Sequence, residues 1–305
     1  ISPDINSGGS ENILFNLAQT KNKNDILLIS LTDIGYYGSI LRKEGYKIYS
    51  LNMKKNIFVV FKIFYLLILI IRFRPGIIQT WLYHANLIGG IAAKLLGVNK
   101  IYWTIHHDFE YRNLYMMLEM RILVFLSYII PDKIIYGSRP VKNNHISNGY
   151  SREKSIVINN GVSTSKFRPI PKLRDSIRKD LNITKQCLLL GNIARYIPLK
   201  DHETLLKSLD ILKRKGINFK CILIGQGLSN ENREFKIRVK KYGLEDKVIL
   251  YGKTYEINNI LNAFDINILT SKKECSPISL IESMSTGIPC ISTNVGDAIE
   301  LIGDS

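Results

Sequence analysis

Two carboxylates eight positions apart, Glu274 and Glu282, are the side chains of this sequence best suited to work on a polyol. An ionised carboxylate accepts hydrogen bonds from both members of a vicinal diol, the group that a sugar or ribose ring presents. Both lie in the stretch Thr270 to Asp297, TSKKECSPISLIESMSTGIPCISTNVGD, whose pattern reads as strand end, loop, short helix, glycine stop, second strand and turn. The apolar run Ile266–Leu269 predicts a short buried strand. Ser276 is a candidate N-cap, and Pro277 suits the first helical position, where a missing N–H costs nothing. Gly287 stops the helix, and Ile288–Ser292 resumes as a strand. Glu274 then precedes a helix N-terminus and Glu282 sits one turn inside it, near the carboxyl end of a parallel strand, where ligands collect in open α/β sheets. A plainer reading stands beside this one: a glutamate near a helix start complements the macrodipole by about 0.3–1 kcal/mol with no ligand at all.

Other residues along the chain could serve the same crevice. Strand Leu188–Ala194 runs into Arg195, and Lys200 follows just before helix Glu203–Lys213. A diphosphate there would meet a guanidinium fork, an ammonium and a helix N-terminus, although two solvated cations explain the same residues. Strand Lys220–Ile224 gives Gly225-Gln226-Gly227, and strand Lys247–Tyr251 gives Gly252-Lys253-Thr254; glycines after strands permit close backbone approach to a nucleotide. Gly8 and Gly9, inside Ser7–Glu11, precede the amphipathic segment Asn12–Gln19 and could do the same for a phosphate. They form neither a Walker loop nor a GxGxxG fingerprint. Strand Lys100–Ile105 ends in His106-His107-Asp108, which brings imidazoles to a carboxyl edge, where one could orient a hydroxyl or share a developing charge.

The elements that must position these groups alternate. After the first helix come strand Asp25–Leu31, helix Tyr37–Lys43, strand Tyr46–Leu51, helix Asn56–Arg72, strand Ile77–Thr80, helix Ala85–Leu96 and strand Lys100–Ile105. Helix Leu114–Ile129, strand Lys133–Tyr136 and strand Ser155–Ile158 follow. Such alternation implies α/β architecture with parallel sheets and right-handed crossovers. Phe167–Pro171, with two prolines that block helix and ladder, predicts a hinge between a domain over 1–168 and a second over 169–305. The chain opens on a turn and a helix and closes at Leu301–Ser305, so a first strand and a C-terminal helix are expected to be missing. The run Ile57–Ile71 is apolar apart from Lys62 and is flanked by Lys54, Lys55, Arg72 and Arg74. It reads as a buried core helix, with a membrane-interface helix as the second reading and a short membrane span as the third.

At 305 residues and 46% hydrophobic content the chain can bury two ordinary cores. Its net charge is +16, and residues 1–168 hold 21 basic against 10 acidic residues while the remainder hold 21 against 16. That balance favours an anionic membrane surface or phosphorylated substrates; nucleic acid is excluded as a partner, since no binding motif and no basic run of five occurs. Cys187, Cys221, Cys275 and Cys290 lack zinc spacing, and a reducing cytoplasm is the default.

The motif E-C-S-P-I-S-L-I-E-S-M-S-T-G-I-P from Glu274 to Pro289, together with Arg195, Lys200-Asp201-His202, Asn160-Gly161-Val162 and Gly8-Gly9, resembles the retaining glycosyltransferases of family 4. The tract Gln79–Ala93 resembles members that build bacterial surface polysaccharides. The resemblance implies the GT-B fold, two doubly wound parallel-sheet domains facing each other across a cleft. It implies that Arg195 and Lys200 hold the donor diphosphate, that Glu282 binds the ribose and that Glu274 contacts the transferred sugar. Gly252, Ser276 and Pro277 complete the donor set, and Gly8 and Gly9 cap the phosphates. The family's histidine falls on His106, or on His107 if the register shifts by one.

Two departures stand out: Cys275-Ser276 where many members have Gly-Phe, and Gly76 where an aspartate usually follows the proline. The implied activity is transfer of a sugar from a nucleotide-diphosphate donor to a glycan or lipid-linked acceptor. Retention would come from same-face attack guided by the leaving phosphate. No Asp-x-Asp triplet occurs, so neither a metal nor another cofactor is expected. The implied setting is cytoplasmic and peripheral, on the inner face of the cell membrane. The competing readings are a GT-B epimerase acting on a nucleotide sugar and a non-catalytic binder of polyanions or membrane surfaces.

Overall fold

The computed structural model describes residues 1–6, 8–53, 59–109 and 114–303. The chain divides into two compact units, Ile1–Asn160 and Gly161–Ser305. The first contains α1 (Gly9–Gln19), β1 (Leu27–Ser30), α2 (Gly35–Lys43), β2 (Lys47–Ser50), α3 (Val59–Phe73) and β3 (Ile77–Trp81). It continues with α4 (Leu82–Leu95), β4 (Lys100–Ile105), α5 (Leu114–Ile129), β5 (Lys133–Tyr136), α6 (Arg139–Ser147) and β6 (Ser155–Val157). The second contains α7 (Pro171–Asp180), β7 (Leu188–Ile193), α8 (His202–Arg214), β8 (Phe219–Ile224), α9 (Arg233–Lys241) and β9 (Val248–Gly252). It ends with α10 (Ile257–Leu261), β10 (Ile266–Leu269), α11 (Ile278–Ser285), β11 (Cys290–Ser292) and α12 (Ala298–Ile302).

Every pairing between these strands is parallel, in the orders β1-β2, β3-β4-β5-β6 and β11-β10-β7-β8-β9. Ile1 and Ser2 stitch the two sheets of the first unit together. Ser2 donates to the Ile29 carbonyl and accepts from Leu31, each at 2.9 Å, while Trp81 donates to the Ile1 carbonyl at 2.9 Å. In the second unit both faces of the sheet are covered, as a doubly wound fold requires. Leu205, Leu209 and Phe235 pack on one side with Leu223, and Phe167, Ile183, Ile260 and Phe264 pack on the other with Ile222 and Leu189.

The division between the units falls before the proline-rich segment that marks a hinge in the sequence. Phe167 is drawn into the second core, its carbonyl accepts from the Ser285 hydroxyl at 2.7 Å, and the Ile170 N–H donates to Asn262 at 2.6 Å. Burying one aromatic ring thus ties residues 161–168 to the second unit. The apolar helix also differs from the core-helix reading. Leu66, Leu69 and Ile70 of α3 are buried, but Phe61, Phe64, Ile68 and Ile71 are exposed. Among the described residues no helix is long and apolar enough to cross a membrane. Ser7 and the expected helix start with Lys54, Lys55 and Ile57 lie outside the described residues.

Candidate active site

Because β7 and β10 are neighbours in the sheet, the loops that leave their carboxyl ends run side by side. The β7 loop presents Arg195, which is exposed, and then tightens into a single 3₁₀ turn, Pro198–Lys200. Asp201 follows in the left-handed region at φ 45° and caps α8, its carboxylate accepting from the Thr204 N–H at 3.3 Å and the Thr204 hydroxyl at 2.9 Å. Two bonds sew the β10 loop onto this turn. The Lys272 N–H donates to the Leu199 carbonyl at 2.8 Å, and the Thr270 hydroxyl donates to the Lys200 carbonyl at 3.2 Å.

This stitching brings Lys200 against Glu274. The ammonium pairs with Glu274 Oε1, and the same oxygen accepts from the Ser271 hydroxyl at 2.6 Å. Glu274 Oε2 has no partner among the described residues, so one lone-pair face of this carboxylate is left for a ligand. Both partners are mostly withdrawn from solvent, which strengthens the pair relative to a surface one. Arg195 makes no ion pair among the described residues and offers its five donors to an anion. Two glycines make the arrangement possible. A Cβ on Gly225 would lie 1.9 Å from the Ala194 carbonyl oxygen, and one on Gly296, at φ +55°, would lie 2.3 Å from that of Cys275.

Glu282 is buried on α11, and its carboxylate has no hydrogen-bond partner among the described residues. Burial pushes its pKa up to about 7, only partly offset by the Lys166 charge. A carboxylate sequestered in this way gains most from a diol that donates two hydrogen bonds. Helix α11 starts one residue later than its sequence predicts. Pro277 is its N-cap, in extended conformation at φ −73°, and no side chain caps the end. The proline suits that extended backbone as well as it would suit the first turn. Ser276 is therefore not the N-cap. It is buried, with its hydroxyl toward the carboxylate of Asp297, whose pKa is raised by burial. Gly252 uses both its backbone groups within the protein, donating to Leu228 and accepting from Gly225, each at 2.9 Å.

In the first unit His106 leaves β4 and stacks on Trp81, with ring centroids 5.1 Å apart and planes 16° from parallel. Burial lowers its pKa to about 4, with a smaller push from His107, so the ring is neutral at physiological pH. Neither of its nitrogens has a hydrogen-bond partner among the described residues. His107 is exposed. The loop behind them is pinned from α4 and α6. The Tyr83 hydroxyl meets His145 Nε2 at 2.8 Å and His145 Nδ1 meets the Val141 carbonyl at 2.8 Å, while the Asn144 amide donates to Asp108. Since a carbonyl only accepts, Nδ1 carries the His145 proton and Nε2 accepts from Tyr83. Gly8 is the N-cap of α1 and Gly9 its first residue, and the Glu11 carboxylate folds over Gly8 where a Cβ would lie 2.1 Å from it. Sequence reasoning missed Glu11, Ser271, Trp81 and Asp297. Only Glu11 had a local signal, an acid in a first helical turn.

The same fold occurs in solved structures. Anabaena Alr3699/HepE in complex with UDP-glucose superposes with a TM-score of 0.83 at 20% identity, over 98% of this chain and 80% of that one. WaaG, a glycosyltransferase involved in lipopolysaccharide biosynthesis, does so with a TM-score of 0.68 at 13% identity, over 97% and 80%. The fold is of the GT-B class. Residues 7–166 match Glycosyltransferase Family 4 and residues 174–305 match Glycosyl transferases group 1, and the chain belongs to Glycosyltransferase Family 4.

Among its relatives, the Escherichia coli UDP-Gal:alpha-D-GlcNAc-diphosphoundecaprenol alpha-1,3-galactosyltransferase is 25% identical over 224 residues, 72% of this chain and 58% of that protein. The Staphylococcus aureus capsular polysaccharide biosynthesis glycosyltransferase CapM is 26% identical over 242 residues, 75% of this chain and 61% of that protein. The chain thus spans less than two thirds of either relative. Both are named as transferases, and neither favours the epimerase or the non-catalytic reading.

Proposed function

We propose that this protein is a retaining, metal-independent hexosyltransferase. It moves a sugar from a nucleotide-diphosphate donor to a glycan or lipid-linked acceptor in surface polysaccharide synthesis, and it works on the cytoplasmic side as a peripheral protein of the cell membrane. The observation that carries the proposal is the pair of stitched loops in the second unit. They set the exposed Arg195 and the Lys200–Glu274 pair on neighbouring loops, with the buried Glu282 one turn into the helix that follows.

In this reading Arg195 and Lys200 stabilise the charge that grows on the leaving diphosphate, a role for fixed cations that needs no reorganisation during reaction. Arrival of the phosphate draws Lys200 partly away from Glu274, which frees Oε1 for the sugar hydroxyls. Glu282 takes the ribose. Ser276 and Pro277 shape the floor beneath the sugar, and Gly252 supports it by joining the β8 and β9 loops. Gly8 and Gly9 serve the phosphates once Glu11 turns aside, since its carboxylate would repel them. His106, neutral and with both of its buried nitrogens unpartnered among the described residues, offers the acceptor a hydrogen bond once a nitrogen is uncovered, and His107 holds the alternative position. A neighbouring structure is in complex with UDP-glucose and a relative's name contains UDP-Gal, which supports trying UDP-sugars first.

The test is a titration of UDP-, GDP- and ADP-sugars that follows free nucleotide with and without a lipid-linked acceptor. Acceptor-dependent release supports the transferase. Conversion without acceptor favours the epimerase, and absence of any nucleotide binding refutes both enzymes.

A further inference from the structure

Exposed apolar side chains are not spread evenly over this molecule. In the second unit no described helix carries more than one of them, such as Ile237 on α9, which is ordinary for a protein surface. In the first unit they line two helices. At helical spacing α3 turns Phe61, Phe64, Tyr65, Ile68 and Ile71 to solvent, Phe61 at 70% exposure, while its opposite face enters the core. On α5 the exposed face carries Leu114, Leu118, Ile122, Phe125 and Tyr128, with Leu114 at 75% and Phe125 at 66%. Between them lies α4, packed against both, with Leu95 exposed near its end. A monomer rarely leaves more than a few hundred Å² of contiguous apolar surface without a use for it.

The exposed charges carried by α3, α4 and α5 have one sign; Asp132, beyond the end of α5, is paired with Lys100. No acidic residue occurs in α3, and the single one in α5, Glu119, is buried and paired with His84. Basic residues accompany them instead: Lys62, Arg72 and Arg74 on or just beyond α3, Lys94 on α4, Arg121 on α5. Lys154, which donates to the Tyr128 carbonyl at 2.5 Å at the end of α5, stands near enough to Lys94 and to Asp132 to be influenced by both charges, the lysine having the larger effect.

We propose that the exposed faces of α3 and α5, joined through α4, form a docking surface for an anionic lipid bilayer. Phenylalanine, leucine and isoleucine side chains enter the boundary between headgroups and acyl chains, and tyrosines stop at headgroup level. Each base near the surface adds attraction to anionic lipid. A second copy of this chain fits the same faces poorly, because pairing them would bring like charges together on a chain of net charge +16. The docking surface deepens the peripheral placement proposed above and rests on it for which membrane is met, but it requires no step of sugar transfer.

The experiment sediments the full chain with phosphatidylcholine vesicles, with and without phosphatidylglycerol, at low and high salt. The wild type is expected to pellet with the anionic vesicles and to be released in part by salt. The double variant F64S/F125S should lower the partition coefficient about tenfold or more. K94E/R121E should weaken binding to anionic vesicles alone, and I237S should change nothing. Circular dichroism and nucleoside-diphosphate titration of each variant verify that folding and donor binding are unchanged. The proposal is overturned if the wild type ignores both vesicles, if F64S/F125S pellets like the wild type, or if the wild type is a dimer that F64S/F125S makes monomeric. Vesicle failure with nucleotide binding intact leaves the donor site standing, and the reverse result leaves this surface standing.

Discussion

The strand edge of the second unit and that of the first solve their polar groups differently. In the second, the β7 and β10 loops bond to one another before any ligand arrives, and Glu274 already holds Lys200 and Ser271. In the first, His106 is packed on Trp81 with both nitrogens buried and unpartnered among the described residues. On the proposed reading, a stitched edge is preorganised for one charge, the diphosphate, and an edge with an unpartnered imidazole keeps its hydrogen bond for an acceptor hydroxyl. Glu282 belongs with the second behaviour although it sits in the first-named place, since burial without a partner among the described residues makes its site costly, a cost that the proposed ribose would offset.

The contrast is broken most sharply at the cations. Arg195→Ala and Lys200→Ala should each lower transfer about 10²–10³-fold, the scale for removing one preorganised stabiliser of developing charge. Full turnover in either variant would remove the diphosphate from this edge. Next in size is Glu282→Gln, which should weaken donor binding while raising thermal stability at pH 7 by about 1–3 kcal/mol. The sign follows from its raised pKa. The folded state holds that proton more tightly than the unfolded chain, so its stabilising effect is complete below pH 4.5 and is lost as pH rises to about 7. Gln removes that loss. By the same linkage, donor affinity in the wild type should fall about tenfold per pH unit below 7, as the ribose must meet an ionised Glu282. Calorimetric titrations at pH 6 and pH 8 test this.

The histidines carry the opposite effect. Burial holds His106, His145 and His202 at about 4, below the ordinary 6.5, so each favours the folded state above pH 6.5 and gives up that contribution as pH falls toward 4. Three such groups outweigh one glutamate, and the melting temperature should drop steadily across that window. Replacing His145 with Gln should flatten the drop by about one third. Smallest of all, His107→Ala on the exposed neighbour should change transfer less than His106→Ala, and equal losses would move the acceptor hydrogen bond to His107.

The alternation of strands and helices, most element bounds and the neighbourhood of Arg195, Lys200 and Glu274 were legible because local pattern and strand order determine them. Strands Lys100–Ile105, Lys133–Tyr136 and Ile266–Leu269 and helix Leu114–Ile129 have the bounds their patterns predict. What escaped were facts about partners distant in sequence. Ser276 satisfies every local rule for a cap, yet the buried Asp297 draws its hydroxyl away. Phe167 carries no mark showing which core will bury it. The exposed face of α3 was hidden for a related reason, since an apolar run shows what a helix can bury and not what remains to cover it.

The central claim, that the β7 and β10 loops hold a donor diphosphate, is tested most directly by calorimetric titration of the full chain. Nucleoside diphosphates are compared with their parent nucleosides, on the wild type and on Arg195→Ala. The account predicts that at least one diphosphate binds well above its nucleoside and that Arg195→Ala removes most of that difference. Diphosphates that bind no better than nucleosides, or a difference that survives the substitution, would contradict it.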